Sequence, residues 1–532
     1  MKNNKSLTWL FLLLLLTVGC VVVQSYDKGY IKINSDKTLE DRKKDGLNTQ
    51  DVTETVNDNS VKDTSKDKEV STNINAKNKS TNGYEGNRYK VNPDIRVLIN
   101  TTGYKSLFHN KVKIKGDGEF EVVTGKKTKR YKSGKTVVFK AADKISKNGK
   151  VVIKPCNNTK FKVMSIKRQQ GCPKYRGKFE IVWRKEGLLL KNVLPLEKYL
   201  YDVIPSEMPT SCNMNALEAQ AVCARSFAYT QLNSGRFDKY GADVDDSVSC
   251  QVYNNIKEDK KGIKAVDNTK NIVMMTDDNK VVSAYYFATS WGVTADGKSV
   301  WNTAKPVSYL KGKLQITEKS RGKTGISKMD LSDEKTFRKF IDKNICNTYD
   351  SNDDWYRWKV YFNEKNLGKR IDSSLYRCYL SDKESILTRD KKGKFRKVMI
   401  KSIGSLKSIK VVKRDKSGFV SEIVITGSKR TVKVCGQYNV RSVLAPVNEK
   451  IKRKKGEDVK GFSLLPSAAF YIDKKKNGRR NYYVVSGGGF GHGTGMSQTG
   501  AESMAREGFD YRSILAHYFD GIKTGDISKA TF

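Results

Sequence analysis

Six glycines crowd into nine residues at 487–495, within Ser486-Gly487-Gly488-Gly489-Phe490-Gly491-His492-Gly493-Thr494-Gly495-Met496-Ser497-Gln498. His492, one of three histidines in the chain, stands at the centre. Glycine admits positive φ and lets the backbone come close to a ligand. Between a strand-like Tyr482–Val485 and a helix-like 499–506, such a loop can present amides to an anion or a hydroxyl-rich ligand. Ser497 and Gln498 add donors and acceptors. The run is neither a Gly-Lys-Ser/Thr phosphate loop nor a dinucleotide fingerprint. Its alternative reading is a tight turn with a satisfied histidine.

Glu207 is the second group able to do chemistry. It lies in Pro205-Ser206-Glu207-Met208-Pro209, immediately before an alanine-rich segment. A carboxyl in apolar company holds its proton to higher pH, which suits a general acid. The alternative is a helix-approach glutamate favoured by the helix dipole. Arg225 lies on an otherwise apolar helix face, where a guanidinium needs a partner.

These groups must be positioned by a mixed body. Short β-like runs at 94–99, 112–124, 136–140, 150–153, 161–166 and 178–184, separated by Gly and Lys-Asn pairs, predict a largely β first part. Leu196–Leu200 reads as one or two helical turns, and the two prolines predict a constrained loop over 205–209. Leu217, Ala221, Ala224, Ala228 and Leu232 recur at three- and four-residue spacing, which predicts a helix over 213–232 capped by Ser211 or Asn213. Val281–Thr289 reads as a buried strand. Residues 311–348 are polar and read as an insertion, and strand signals return at 355–360, 400–411 and 420–434. The fold class is α+β: a β-rich body with a central alanine-rich helix and an inserted β subdomain.

The chain has 532 residues, 101 Lys+Arg against 57 Asp+Glu, and a net charge of +44. The length excludes a single ordinary core. The absence of a Gly-x-y period, of heptads and of repeated apolar spans excludes collagen, coiled coil and polytopic membrane protein. The charge implies a polyanionic setting. Lys2 and Lys5 precede an unbroken apolar run, Leu7–Val23. That run predicts an uncleaved single-pass anchor at 1–23 in the cell membrane, with the bulk extracytoplasmic. Leu16-Thr17-Val18-Gly19-Cys20 keeps a lipoprotein signal as the alternative. Residues 24–92 are polar and predict a disordered stalk, leaving 93–532 as the body. An exported body and the lack of basic-aromatic motifs exclude nucleic acid as the partner. The nine cysteines show no framework; Cys156 and Cys172 are spaced so that they could pair, and buried small apolar residues are the plainer reading.

Taken together, Leu194-Pro195-Leu196-Glu197-Lys198-Tyr199-Leu200 through Ile204-Pro205-Ser206-Glu207-Met208-Pro209 form the first of several ordered motifs. Leu217-Glu218-Ala219-Gln220-Ala221-Val222-Cys223-Ala224-Arg225-Ser226, Cys250-Gln251-Val252-Tyr253, Ala284-Tyr285-Tyr286-Phe287 with Ser290-Trp291-Gly292-Val293-Thr294, and the glycine-rich run follow. In this order they resemble the SpoIID/LytB family of stage II sporulation protein D and amidase-enhancer proteins, over about residues 94–525.

The resemblance implies action on peptidoglycan. For the sporulation branch it implies a lytic transglycosylase that cleaves glycan strands stripped of stem peptides during engulfment. The family's catalytic glutamate falls on Glu207, and Arg225, Ser226, Gln251, Ser290, His492, Ser497 and Gln498 fall on motif positions expected to line the glycan cleft in substrate-binding or orienting roles. Expected partners are glycan strands, a cell-wall amidase, other engulfment proteins and anionic wall polymers. A non-enzymatic amidase enhancer or wall-binding module is the rival implication. The chain departs from the family at one stretch. Members often carry Cys-Asp-x-Thr-His-Cys-Gln there, associated with zinc; here it reads Asp245-Asp246-Ser247-Val248-Ser249-Cys250-Gln251. Asp245 and Cys250 alone fall short of the four ligands that structural zinc takes, so no cofactor is expected. Trp291 replaces a usually small residue and is expected to narrow the cleft or stack on a sugar.

Overall fold

The computed structural model describes residues 83–531, except 86–87, 144–148, 302–305, 321–329 and 344–346. The apolar run 7–23 and most of the polar stretch 24–92 lie outside the described residues. Among those described, no helix is long and apolar enough to cross a membrane. The described residues begin at Gly83, ten residues before Pro93. Tyr84–Glu85 pairs with Arg88–Tyr89, and Tyr89 is buried edge-on against Tyr229 of the alanine-rich helix. Tyr89 thus supplies apolar surface that anchors the end of the polar tract.

Alternation of buried and exposed positions builds the first part. Lys111–Gly116 alternates strictly, with Val112 and Ile114 inward, the period-2 pattern of a half-buried strand. An eight-stranded sheet contains, in order, Val244–Asp245, Asp94–Leu98, Gly187–Pro195, Lys178–Arg184, Lys150–Pro155, Phe120–Thr124 and Lys127–Tyr131, with Phe108–His109 also paired to Gly187–Pro195. A four-stranded sheet of Lys174–Tyr175, Phe161–Val163, Lys111–Gly116 and Thr136–Lys140 accompanies it. Cys156 follows a strand of the first sheet and Cys172 precedes a strand of the second. They stay unpaired, and all seven described cysteines are free. Cys212, Cys223 and Cys378 are instead small buried residues.

The alanine-rich helix spans Met214–Leu232, and Asn213 caps it through the Asn215 amide. Its alanines, Ala216, Ala219, Ala221, Ala224 and Ala228, are inaccessible. They let the helices Leu196–Glu207, Lys260–Asn268 and Gln498–Arg506 pack against it. The 205–209 segment corrects the expected loop. The first of these helices continues through Pro205 and Ser206 to Glu207, closing with Met208 N–H to the Ile204 carbonyl at 2.9 Å. Proline costs a helix interior about 3 kcal/mol. Burial of Leu200, Val203 and Ile204 outweighs that penalty.

The second part holds a four-stranded sheet (Ile451–Arg453, Trp358–Asn363, Arg480–Gly487, Phe470–Asn477) and a five-stranded one (Phe395–Arg396, Ile386–Arg389, Thr431–Cys435, Val420–Gly427, Leu406–Arg414). A helix absent from the sequence reading, Glu364–Ser381, turns Leu367, Ile371, Leu375 and Cys378 inward. Residues 311–348 include the helix Glu334–Lys343, whose Phe337, Phe340 and Ile341 are buried with Trp291 and Phe419. The expected strand at 281–289 shrinks to Tyr286–Phe287, which pairs in parallel with Met496–Ser497. The rest of that run is buried or half-buried, with isolated bridges at Val281 to Met275 and at Thr289 to Phe490.

Candidate active site

Glu207 ends its helix partly exposed. Its Oε1 accepts the Val252 amide at 2.5 Å, and the Tyr286 hydroxyl bonds the same carboxyl. Burial raises its pKa from 4.5 to about 7, with the two hydrogen bonds opposing the shift. Desolvation therefore wins over stabilisation of the anion. Near neutrality the group exists in both protonation states, the condition for one carboxyl to serve as acid and then base.

The surroundings hold this carboxyl in place. Gln251 donates to the Tyr286 hydroxyl at 3.1 Å and to the Ala224 carbonyl at 3.3 Å, and accepts from Tyr199 at 3.3 Å. Gln498 donates to the Glu207 carbonyl at 3.0 Å and to Gln220 at 3.3 Å. His492 Nδ1 accepts the Thr494 amide at 3.2 Å, which assigns the ring proton to Nε2, and the ring bonds the Tyr286 backbone. Burial and the Arg441 charge lower its pKa to about 3. His492 is thus a neutral brace for the strand that carries Tyr286. Its ring stands beside Trp301, Tyr285 and Phe287, at centroid distances of 5.2, 6.3 and 5.7 Å.

The other motif residues are internal. Arg225 is inaccessible. Its Nε and Nη2 each lie 2.8 Å from Glu197, and further bonds reach the Ile272 and Val266 carbonyls at 3.1 Å. It has the partner its position demanded, and it ties its own helix to two others and a strand instead of facing ligand. Ser226 accepts the Met274 amide at 2.9 Å and donates to Val222. Ser290 and Ser497 donate to the buried Asp350 at 2.6 and 2.5 Å. Burial raises the Asp350 pKa to about 6. The four groups placed in a cleft by motif matching are therefore struts within the protein. Trp291, expected at the cleft, is 1% exposed among Phe337, Phe340 and Phe419.

The glycine-rich run also serves packing. The amides of Gly488, Gly489, Phe490 and Gly491 bond the carbonyls of Ala469, Trp355, Thr289 and Pro466, so they do not present themselves to an anion. Gly495 has φ +78°, and a Cβ there would fall 2.0 Å from the Tyr285 carbonyl. Only glycine permits the parallel pairing that carries Tyr286 to Glu207.

Asp245 accepts from the Ser247 and Ser249 hydroxyls at 2.9 and 2.8 Å. Burial raises the Cys250 thiol pKa, and nearby Asp245 adds to the rise. A carboxylate satisfied by two hydroxyls beside a neutral thiol does not fit a four-ligand zinc centre. Among the described residues no group of three His, Cys, Asp or Glu is arranged for a metal.

Sequence reasoning missed Tyr286 as the partner of Glu207, and it missed Tyr104. Tyr104 has φ +56°, its buried hydroxyl has no protein partner among the described residues, and the Arg168 guanidinium lies 4.4 Å above its ring. Burial and the charges of Asp246, Glu207 and Asp245 raise its pKa. An aromatic residue in the left-handed region is a marked outlier, and nothing in the local sequence announces it.

Comparison with known proteins agrees with the motif order. Residues 184–276 match the family model for Stage II sporulation protein (SpoIID), and 295–495 match a domain of unknown function, DUF8618. The chain is 28% identical over 325 residues to the amidase enhancer of Bacillus subtilis (strain 168), covering 60% of this chain but 39% of that protein's length. It is 26% identical over 362 residues to stage II sporulation protein D of Bacillus amyloliquefaciens, covering 66% of this chain and 78% of the relative. The corresponding Bacillus subtilis (strain 168) protein is 26% identical over 358 residues. Residues 184–276, which hold Glu207, Arg225, Ser226 and Gln251, are thus similar to the SpoIID domain.

Proposed function

We propose that the chain is a membrane-anchored lytic transglycosylase acting outside the cytoplasm on peptide-stripped peptidoglycan, in a sporulation cell-wall role that the relatives' names support. One observation carries this: Glu207 is half-buried with a pKa of about 7, held by an amide and a tyrosine hydroxyl. Protonated Glu207 gives its proton to the glycosidic oxygen as the C1–O bond breaks. The resulting carboxylate, supported by Val252 N–H and Tyr286 O–H, takes the proton of the sugar's own 6-hydroxyl as that oxygen bonds C1 and closes a 1,6-anhydro ring. No water is consumed, so no second carboxylate is needed to activate one, unlike ordinary glycoside hydrolysis.

The similarity to an amidase enhancer favours a second reading, activation of a wall amidase without cleavage. Stripped strands incubated with the chain alone, and intact wall incubated with amidase in its presence and absence, separate the two. Anhydro ends from the chain alone support the enzyme. Faster amidase action with no anhydro ends supports the enhancer.

Two further outcomes are expected. Tyr286→Phe removes a hydrogen bond that favours the Glu207 anion, so the Glu207 pKa rises further and the alkaline limb of the kcat/KM–pH profile moves upward. An unmoved limb would exclude that role of Tyr286. Glu207→Gln should also alter stability. The folded carboxyl titrates at about 7 against 4.5 ordinarily, so the native state binds more protons between these values and wild-type stability falls as pH rises through them. The variant lacks this loss. Its melting temperature should exceed that of wild type at pH 8 and approach it at pH 4.

A further inference from the structure

Between the four-stranded sheet of the first part and the loop 254–258 lies a groove of about 500 Å³. Six basic residues line it, Lys115, Lys160, Lys162, Arg168, Lys174 and Lys257, against two acidic ones, Asp117 and Glu258. The acids are engaged: Glu258 with Lys160 and Arg176, Asp117 with Lys174. Lys115, Lys162 and Lys257 are exposed and have no ion-pair partner among the described residues. Arg168 is buried, bonded to Asp246 and the Asn100 carbonyl, yet its buried Nε–H has no acceptor among the described residues. The groove thus carries surplus positive charge, which an anion offsets.

The groove adjoins the Glu207 site through shared elements. Its loop begins two residues after Val252, whose amide holds Glu207. The hydroxyl of Ser206, the neighbour of Glu207, accepts the Asn255 and Ile256 amides at 3.0 and 3.1 Å. Arg168 lines the groove and covers the ring of Tyr104, whose hydroxyl lies within electrostatic reach of Glu207. Glu207 and the groove are therefore joined by the short segments 206–207 and 252–256.

We propose that the groove binds the free lactyl carboxylates that a glycan strand exposes once its stem peptides are removed, and so selects stripped strands over peptide-bearing ones. This rests on the transglycosylase reading for the identity of the strand. Amide hydrolysis leaves a carboxylate on the lactyl group of each stripped muramic residue; while the peptide is attached, that carbon is a neutral, bulky amide. Charge-assisted bonds to the carboxylate are worth more than neutral ones, and discrimination is the difference between the two affinities.

The test uses the full chain carrying Glu207→Gln, so that strands bind without being cut. Stripped strands are compared with the same strands after conversion of their carboxyls to methylamides. Stripped strands should bind about tenfold more tightly, a charge-assisted hydrogen bond's worth. Adding Lys115→Glu, Lys162→Glu and Lys257→Glu should erase that preference. An equal charge change at Lys391, Lys392 and Lys394, exposed residues of the five-stranded sheet's loop, should leave it. A preference that survives the groove substitutions, or is lost equally in the Lys391/392/394 variant, overturns the proposal. Failure of the enzyme reading is separate: it shows as wild type making no anhydro ends while the carboxylate preference persists. Wild type that cleaves stripped and methylamidated strands at equal rates keeps the enzyme and rejects the groove.

Discussion

Arg225→Ala should destabilise the protein by about 3–5 kcal/mol, the cost of removing one member of a buried ion pair. Arg225 is inaccessible and Glu197 nearly so. Without the guanidinium, Glu197 keeps only the Asn271 amide at 3.2 Å, and the Ile272 and Val266 carbonyls each lose a donor. Arg225→Lys should recover little, since an ammonium cannot match the two parallel 2.8 Å contacts. Denaturant unfolding measures the loss. If Arg225→Ala stays as stable as wild type while glycan binding collapses, Arg225 is a substrate ligand and its assignment as a strut is wrong.

Glu207→Gln should reduce strand cleavage by roughly 10²–10⁴-fold, the usual worth of a positioned general acid, with little change in affinity. Glutamine can still accept the Val252 amide, so the fold around it persists. It can neither deliver nor take up the proton. In wild type the starting step needs the protonated carboxyl, so kcat/KM should fall as pH rises through about 7. A flat profile between pH 5 and 9 would exclude Glu207 as the acid. A profile falling near 4.5 would mean that burial does not control its protonation.

The raised pKa of Glu207 was legible in the sequence because Pro205, Met208 and Pro209 adjoin it. Its hydrogen-bond partners were not: Val252 lies 45 residues away, and Tyr286 reaches it only through the short parallel pair with Met496–Ser497. Arg225 illustrates the opposite limit. The helix pattern showed that a charge on that face needed a partner, but nothing local named Glu197 or distinguished a strut from a ligand.

The glycine-rich run was conspicuous for the right reason, backbone freedom, and misread in its use. Its composition cannot show that Ala469, Trp355 and Pro466 take its amides. Pro205 predicted a break where burial of Val203 and Ile204 sustains a helix, a case of tertiary packing overriding local preference. The helix Glu364–Ser381 carried a signal in Leu367, Ile371 and Leu375 at four-residue spacing. Its many charged residues concealed it.

The most direct test of the central claim is mass spectrometry of the products from peptide-free glycan strands, with wild type and Glu207→Gln compared after circular dichroism shows both folded. The account predicts 1,6-anhydro-muramyl ends from wild type and none from the variant. Folded wild type that yields no anhydro ends, or a variant that yields as many, would contradict it.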